Sequence, residues 1–133
     1  MLQRPEPDFK LPCESTGSLR PDLLVTFPYE YPGKNITVSI ATDEFGAVCP
    51  WSGLPDFGTV AIEYEPDELI LELKSLKMYL YSFRSVGIYQ EHACVRICED
   101  IVPVVKPRRL KVTLTYSVRG GIKTVVEREY VSR

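Results

Sequence analysis

A chain of 133 residues is long enough for one core and too short for two ordinary domains. With 44% hydrophobic and 26% charged residues it reads as soluble and globular. A formal charge of −2 and a pI near 5.5 leave no electrostatic footprint for nucleic acid or an anionic membrane. No apolar run approaches the roughly 20 residues of a membrane span, and the opening Met-Leu-Gln-Arg-Pro-Glu-Pro-Asp lacks a signal-peptide layout. The expectation is a cytoplasmic protein with no direct contact to membrane or nucleic acid.

Residues 1–22, with Pro5, Pro7, Pro12 and Pro21, read as an irregular arm suited to lie on a partner subunit. A single domain is expected over 23–133. Leu23 to Phe27 is a short strand candidate, broken off by Pro28, Pro32 and Gly33. From Lys34 to Val48 the pattern alternates, Ile36, Val38 and Ile40 against Thr37, Ser39 and Ala41. Asp43, Glu44 and Gly46 interrupt it, and a bulge there could re-aim the chain toward a site. Phe57 to Glu65 alternates again, and a connection this short pairs the two strands antiparallel.

Pro66 and Asp67 end that strand, and Leu69 to Leu73 fits an extended stretch or an early helix equally well. The period then becomes helical through Leu76, Leu80 and Phe83, with Ser75 as expected N-cap and Gly87 as stop. A second helix is predicted over 89–102, with Ala93, Ile97 and Ile101 in register and Pro103 at or near its end. Leu110–Val118 and Ile122–Tyr130 alternate as strands joined through Arg119-Gly120-Gly121, a strong hairpin signal. The order strand, strand, helix, helix, strand, strand predicts an α+β fold: an antiparallel four-stranded sheet with both helices on one face. Its open edges argue for a homo-oligomer built by strand pairing.

The chemistry-bearing residues begin with Cys49, in Ala47-Val48-Cys49-Pro50 at the end of a strand pattern. It reads as a nucleophile where a strand breaks, or as a buried strand cysteine. Asp56, seven residues on, reads as a proton donor if burial raises its pKa, or as ordinary turn chemistry. Lys74, Ser75 and Lys77 surround a helix start, where exposed amides and ammonium groups make an anion cradle or a solvated face. Glu91 opens the second helix, as a bidentate acceptor for an amidine-like base edge or as a partner of the helix dipole. Cys94 and Cys98 share a helix face with Ile101. Burial there is favoured over a metal site with His92, because the CxxC spacing is missing, and no metal site is assigned. Residue types alone leave two readings open, a thiol-centred small-molecule enzyme and a structural oligomer with a buried cysteine.

The run Glu72-Leu73-Lys74-Ser75-Leu76-Lys77-Met78-Tyr79 resembles the signature of the NADPH-dependent nitrile reductases of queuosine biosynthesis, the 7-cyano-7-deazaguanine reductases, with Met78 the one departure. Ser82-Phe83-Arg84, the segment from Cys49-Pro50 to Pro55-Asp56-Phe57, and Arg119-Gly120-Gly121-Ile122 are similar to the same family. The likeness spans roughly residues 34 to 125, at the length of the short single-module subfamily. It implies a tunnelling fold assembled into rings, typically a decamer of two pentamers, with sites at subunit interfaces.

The implied reaction takes the nitrile of 7-cyano-7-deazaguanine to an aminomethyl group with two NADPH, through a thioimide on Cys49 and with protons from Asp56. Leu71, Glu72, Leu73, Gln90 and Glu91 would contact the base, and Lys74, Ser75, Lys77 and Arg119 the cofactor phosphates. Gln90 stands where the family often has His, with His92 on the far side of Glu91, so a histidine assisting proton movement is not carried over. The alternatives are an amidinotransferase on the same scaffold acting on nitrile-modified tRNA, and a non-enzymatic oligomeric binding module. The lysine-rich signature and the acidic pI speak against the first, the Cys, Asp and Glu constellation against the second.

Overall fold

The computed structural model describes residues 9–133; the first eight residues of the expected arm lie outside them. Two short strands, β1 (Thr26–Pro28) and β4 (Leu69–Leu71), pair antiparallel. The main sheet runs β2 (Val38–Val48), β3 (Pro55–Glu65), β5 (Arg109–Tyr116), β6 (Val125–Val131), with every neighbour antiparallel. Helices α1 (Leu73–Tyr81) and α2 (Gln90–Val105) separate the two hairpins. The predicted order of two strands, two helices and two strands is present, with the β1–β4 pair added.

Alternation decides which face of the sheet meets the helices. Val60, Ile62 and Tyr64 of β3 and Leu110, Val112, Leu114 and Tyr116 of β5 are all buried, and join Leu76 and Leu80 of α1 and Ala93, Ile97 and Ile101 of α2 in one core. Each of the Val, Ile and Leu side chains among them contributes about 1.5–3 kcal/mol of burial. The opposite face, through Ser39, Ala41, Glu63, Lys111 and Thr113, is small and polar. The expected bulge lies between Thr42 and Phe45. Cys94 and Cys98 are buried, and the Cys94 thiol donates weakly to Val112 O at 3.4 Å and Val126 O at 3.5 Å.

Several boundaries differ for local reasons. β2 starts at Val38, because Tyr29 Oη donates to Lys34 O and Lys34 N to Tyr31 O, holding that stretch as a loop. The first strand starts later than Leu23, since Pro21 opens a 3-10 turn over Pro21–Leu23. α1 ends at Tyr81 rather than near Gly87: Ser82, Phe83 and Arg84 each donate three residues back, tightening the chain. α2 continues past Pro103 to Val105 and closes on Lys106, whose φ of 51° is left-handed. The last hairpin keeps the expected Gly120-Gly121 turn, closed by reciprocal Arg119 and Ile122 bonds, but the strands stop at Tyr116 and resume at Val125.

The described part of the arm lies on its own chain. Leu11 N donates to Ser52 O and Glu14 N to Ser85 O, each at 2.8 Å, and Leu19 enters the core. The two helices are joined by a half-buried polar link: Tyr79 Oη donates to Asp100 Oδ2 at 2.6 Å, and Arg96 Nε donates to the same carboxylate at 2.9 Å. Burial, then the adjacent carboxylate, push the Tyr79 phenol far above its usual range, so it stays a donor. Tyr79→Phe leaves a charge-assisted bond unmade, and about 1–3 kcal/mol of stability should be lost. A urea midpoint that falls with an unchanged slope is the expected readout; an unchanged midpoint would remove this link from the fold's stability.

Candidate active site

Cys49 sits where β2 runs out. The last pair of the hairpin, Val48 with Pro55, is flanked by a parallel segment, since Val48 N donates to Val86 O and Ile88 N to Val48 O, both at 3.0 Å. Pro50 then turns the chain into a closed loop: Cys49 N donates to Leu54 O at 2.9 Å and Gly53 N to Cys49 O at 2.7 Å. Gly53 has φ +74°, and a Cβ there would lie 2.1 Å from Leu11 O, so only glycine lets the arm close over the loop. The half-buried thiol faces the Ser52 and Trp51 amides and the Ser52 hydroxyl. Burial pushes its pKa up and Asp56 adds to that, but these donors outweigh both, and the thiol ionises below its ordinary value.

Asp56 pairs with Ala47 across the hairpin, which puts it at the same end as Cys49. It is 8% exposed, and its Oδ1 is 3.1 Å from Arg119 Nη1. Burial raises its pKa; Arg119 and a hydrogen bond from Gln90 oppose that, Glu91 reinforces it, and the net shift is upward. Tyr116, at the end of β5, is 3% exposed, and its hydroxyl has no partner among the described residues. Burial, then Asp56, Cys94 and Glu91, raise that phenol well above its usual range. The structure thus gathers Cys49, Asp56, Gln90, Glu91 and Arg119, and adds Tyr116.

The remaining expected residues cluster at the start of α1. Glu72 is the N-cap instead of Ser75: its carboxylate accepts from Lys74 N at 2.9 Å and Ser75 N at 2.6 Å. A longer side chain can fold back over the first turn, which Ser75 cannot do from inside it. The Ser75 hydroxyl is buried, accepting from Val25 N at 3.0 Å and donating to Glu72 O at 2.8 Å. Leu71 N donates to Tyr64 Oη at 3.0 Å and Glu72 N to Val25 O at 2.9 Å, so those backbone donors are already engaged. Leu73, Lys74 and Lys77 are exposed. Leu73, Lys77 and Tyr81 line a groove of about 550 Å³ between α1 and the Ile40–Glu44 edge of β2. Its walls are largely apolar, with the Lys77 ammonium and the Glu44 carboxylate as its charged groups.

A family model described as QueF-like protein matches residues 55–133. A protein of Chloroherpeton thalassium named NADPH-dependent 7-cyano-7-deazaguanine reductase is 45% identical over 84% of this chain and 97% of its own length. One of the same name from Thermotoga maritima is 53% identical over 83% of this chain and 80% of its own. The chain belongs to this reductase family. A crystal structure titled as the archaeosine synthase QueF-Like in the apo form also matches, with TM-score 0.66 and 25% identity over 77% of this chain and 99% of that one. The reductase family thus shares its tunnelling fold with this neighbour.

Two residues beside the reductase-family signature escaped the sequence reading. Ser52, in the Trp-Ser-Gly turn, is buried and supplies donors to Cys49. Tyr116 is one unremarked position of the Leu110–Val118 strand pattern, and only the sheet register puts it beside Asp56. His92 is exposed, its ring edge-on to Tyr89 at 6.0 Å, in a shallow groove with Thr16, Arg96 and Glu99. Ser52→Ala should raise the apparent pKa of Cys49 and slow its alkylation by iodoacetamide near neutral pH, followed peptide by peptide in the mass spectrometer. Wild-type alkylation kinetics in the variant would show that the hydroxyl does not hold the thiolate.

Proposed function

We propose that this chain reduces the nitrile of 7-cyano-7-deazaguanine to the aminomethyl group in queuosine biosynthesis, consuming two NADPH per nitrile through a thioimide on Cys49. The observation that carries the chemistry is a thiol and a buried carboxyl at one end of a single hairpin, with their pKa values shifted toward each other. Asp56 as carboxylate takes the Cys49 proton. The sulfur bonds to the nitrile carbon as one π bond opens, and the proton passes from Asp56 to nitrogen. A thioimide accepts hydride more readily than the free nitrile, which is the reason for a covalent route. When bound, NADPH supplies the hydrides that the carbon receives. Asp56 delivers a proton to nitrogen in each reduction, a role that burial favours by raising its proton affinity. Between the two reductions the carbon–sulfur bond breaks, Cys49 is released as the thiol, and the nitrogen lone pair forms the imine that accepts the second hydride.

Glu91, exposed at the first turn of α2, accepts from the amidine-like edge of the base. Gln90 orients Asp56 through its hydrogen bond, in place of a titrating group. Leu71, Glu72 and Leu73 line the base, with Leu73 the exposed member. Lys74 and Lys77 hold cofactor phosphates; Ser75 supports them by fixing the helix start to Val25. The outer edges of β2 and β6 carry no partner among the described strands, and a ring of subunits, two pentamers face to face, would pair them and bring one subunit's α1 to another's Cys49. No described helix is long and apolar enough to cross a membrane, consistent with work in the cytoplasm on a small base.

The archaeosine synthase neighbour supports a second reading, amidine formation on a nitrile-bearing tRNA. Lys74 and Lys77 in the signature, the acidic pI and relatives 41–53% identical named as reductases favour reduction. Mass spectrometry of protein mixed with the nitrile base, without NADPH, should find the base attached to the Cys49 peptide. Cys49→Ala should lose both this adduct and NADPH oxidation, and Asp56→Asn should slow turnover by about 10²–10⁴-fold. NADPH oxidation at the wild-type rate by the Cys49→Ala protein would contradict the mechanism.

A further inference from the structure

Arg119 is the residue whose placement departs most from its expected role, for it lies on the carboxyl that handles protons. Resting on the reading of Asp56 as proton carrier, we infer that Arg119 is a gate: it keeps Asp56 ionised in the resting site, and the anionic cofactor draws it off so that Asp56 can hold a proton.

The ion pair is asymmetric. The Asp56 side chain is 11% exposed and the Arg119 side chain 55%, so the guanidinium can leave for solvent or another anion while the carboxyl cannot. Arg119 also donates to Pro55 O, so both of its contacts are to one end of β3. It belongs to the connection between β5 and β6, beside Gly120 and Gly121, whose φ values are +59° and +79° and around which there is open space. Such a turn can swing without disturbing the core.

The groups facing Asp56 are the Cys49 thiol after β2, Gln90 and Glu91 of α2, the Tyr116 phenol of β5, and Arg119. Arg119 is the cation in that set. Without it, burial and Glu91 favour the protonated acid, and only the Gln90 hydrogen bond opposes them. NADPH is the polyanion that the reaction brings, and a guanidinium is well matched to phosphate. The two states suit successive needs. An ionised Asp56 accepts the Cys49 proton during adduct formation, and a protonated Asp56 is required once nitrogen must be protonated during reduction.

The test follows thioimide formation against pH without NADPH, by absorbance and mass, for wild type, Arg119→Ala and Arg119→Lys. Formation fails at low pH when Asp56 is already protonated and cannot accept the thiol proton. The acidic limb of Arg119→Ala should lie about one pH unit above that of wild type, and Arg119→Lys should stay near wild type. Adding NADP⁺, which carries the phosphates but no hydride, should raise the wild-type limb and leave Arg119→Ala unmoved. Superimposed profiles for wild type and Arg119→Ala, or an equal NADP⁺ shift in both, would overturn the gate alone. Absence of any adduct in wild type would overturn the nitrile reading and the gate together.

Discussion

The antiparallel register of β2 on β3 is the constraint on which the site depends. Pairing Ala47 with Asp56 and Val48 with Pro55 fixes a thiol and a carboxyl at one end of the hairpin, seven residues apart in sequence. A slip of one residue would turn Asp56 to the other face of the sheet and Phe57 toward the core. The register is held from both sides: β5 continues the ladder beyond β3, and Val86 to Ile88 clamp Val48. In water the thiol and carboxyl ionise near 8.5 and 3.9, a large gap for direct proton transfer. Amide and hydroxyl donors lower the first, burial raises the second, and the transfer becomes less uphill.

The start of α1 has a different economy. A free helix N-terminus binds anions through its amides, but Glu72 already occupies two of them here. The same carboxylate therefore stabilises the helix, and on the proposed function anion binding falls to the exposed Lys74 and Lys77 side chains. Ser75, within the signature, is spent on holding α1 against Val25, which anchors the β1–β4 pair beside the helix. A signature motif can thus mix residues that meet a ligand with residues that keep the first group in place.

Much of this was legible in the sequence. The period-two alternation of β3 and β5 and the Ala93, Ile97, Ile101 spacing of α2 follow from burying one face of each element. Cys94 and Cys98 followed from the same face. Less legible were features set by contacts distant in sequence. The arm's course depends on Leu11 meeting Ser52 and Glu14 meeting Ser85, which no local pattern encodes. Glu72 displaced Ser75 as cap because side-chain reach, not residue type alone, decides which oxygen finds the free amides. Tyr116 and Arg119 reach Asp56 only because β5 lies beside β3 and the following loop folds over Pro55. In the sequence the first is one unremarked position of an alternating strand, and the second is a hairpin residue that the family resemblance assigns to the cofactor phosphates.

The most direct measurement is a crystal structure of the protein assembled with 7-cyano-7-deazaguanine and no reductant. It should show continuous density from Cys49 Sγ to the former nitrile carbon, with Asp56 within hydrogen-bond distance of the nitrogen and Glu91 on the base edge. A base seated elsewhere, with that sulfur unbonded and closed off from it, would contradict the central claim.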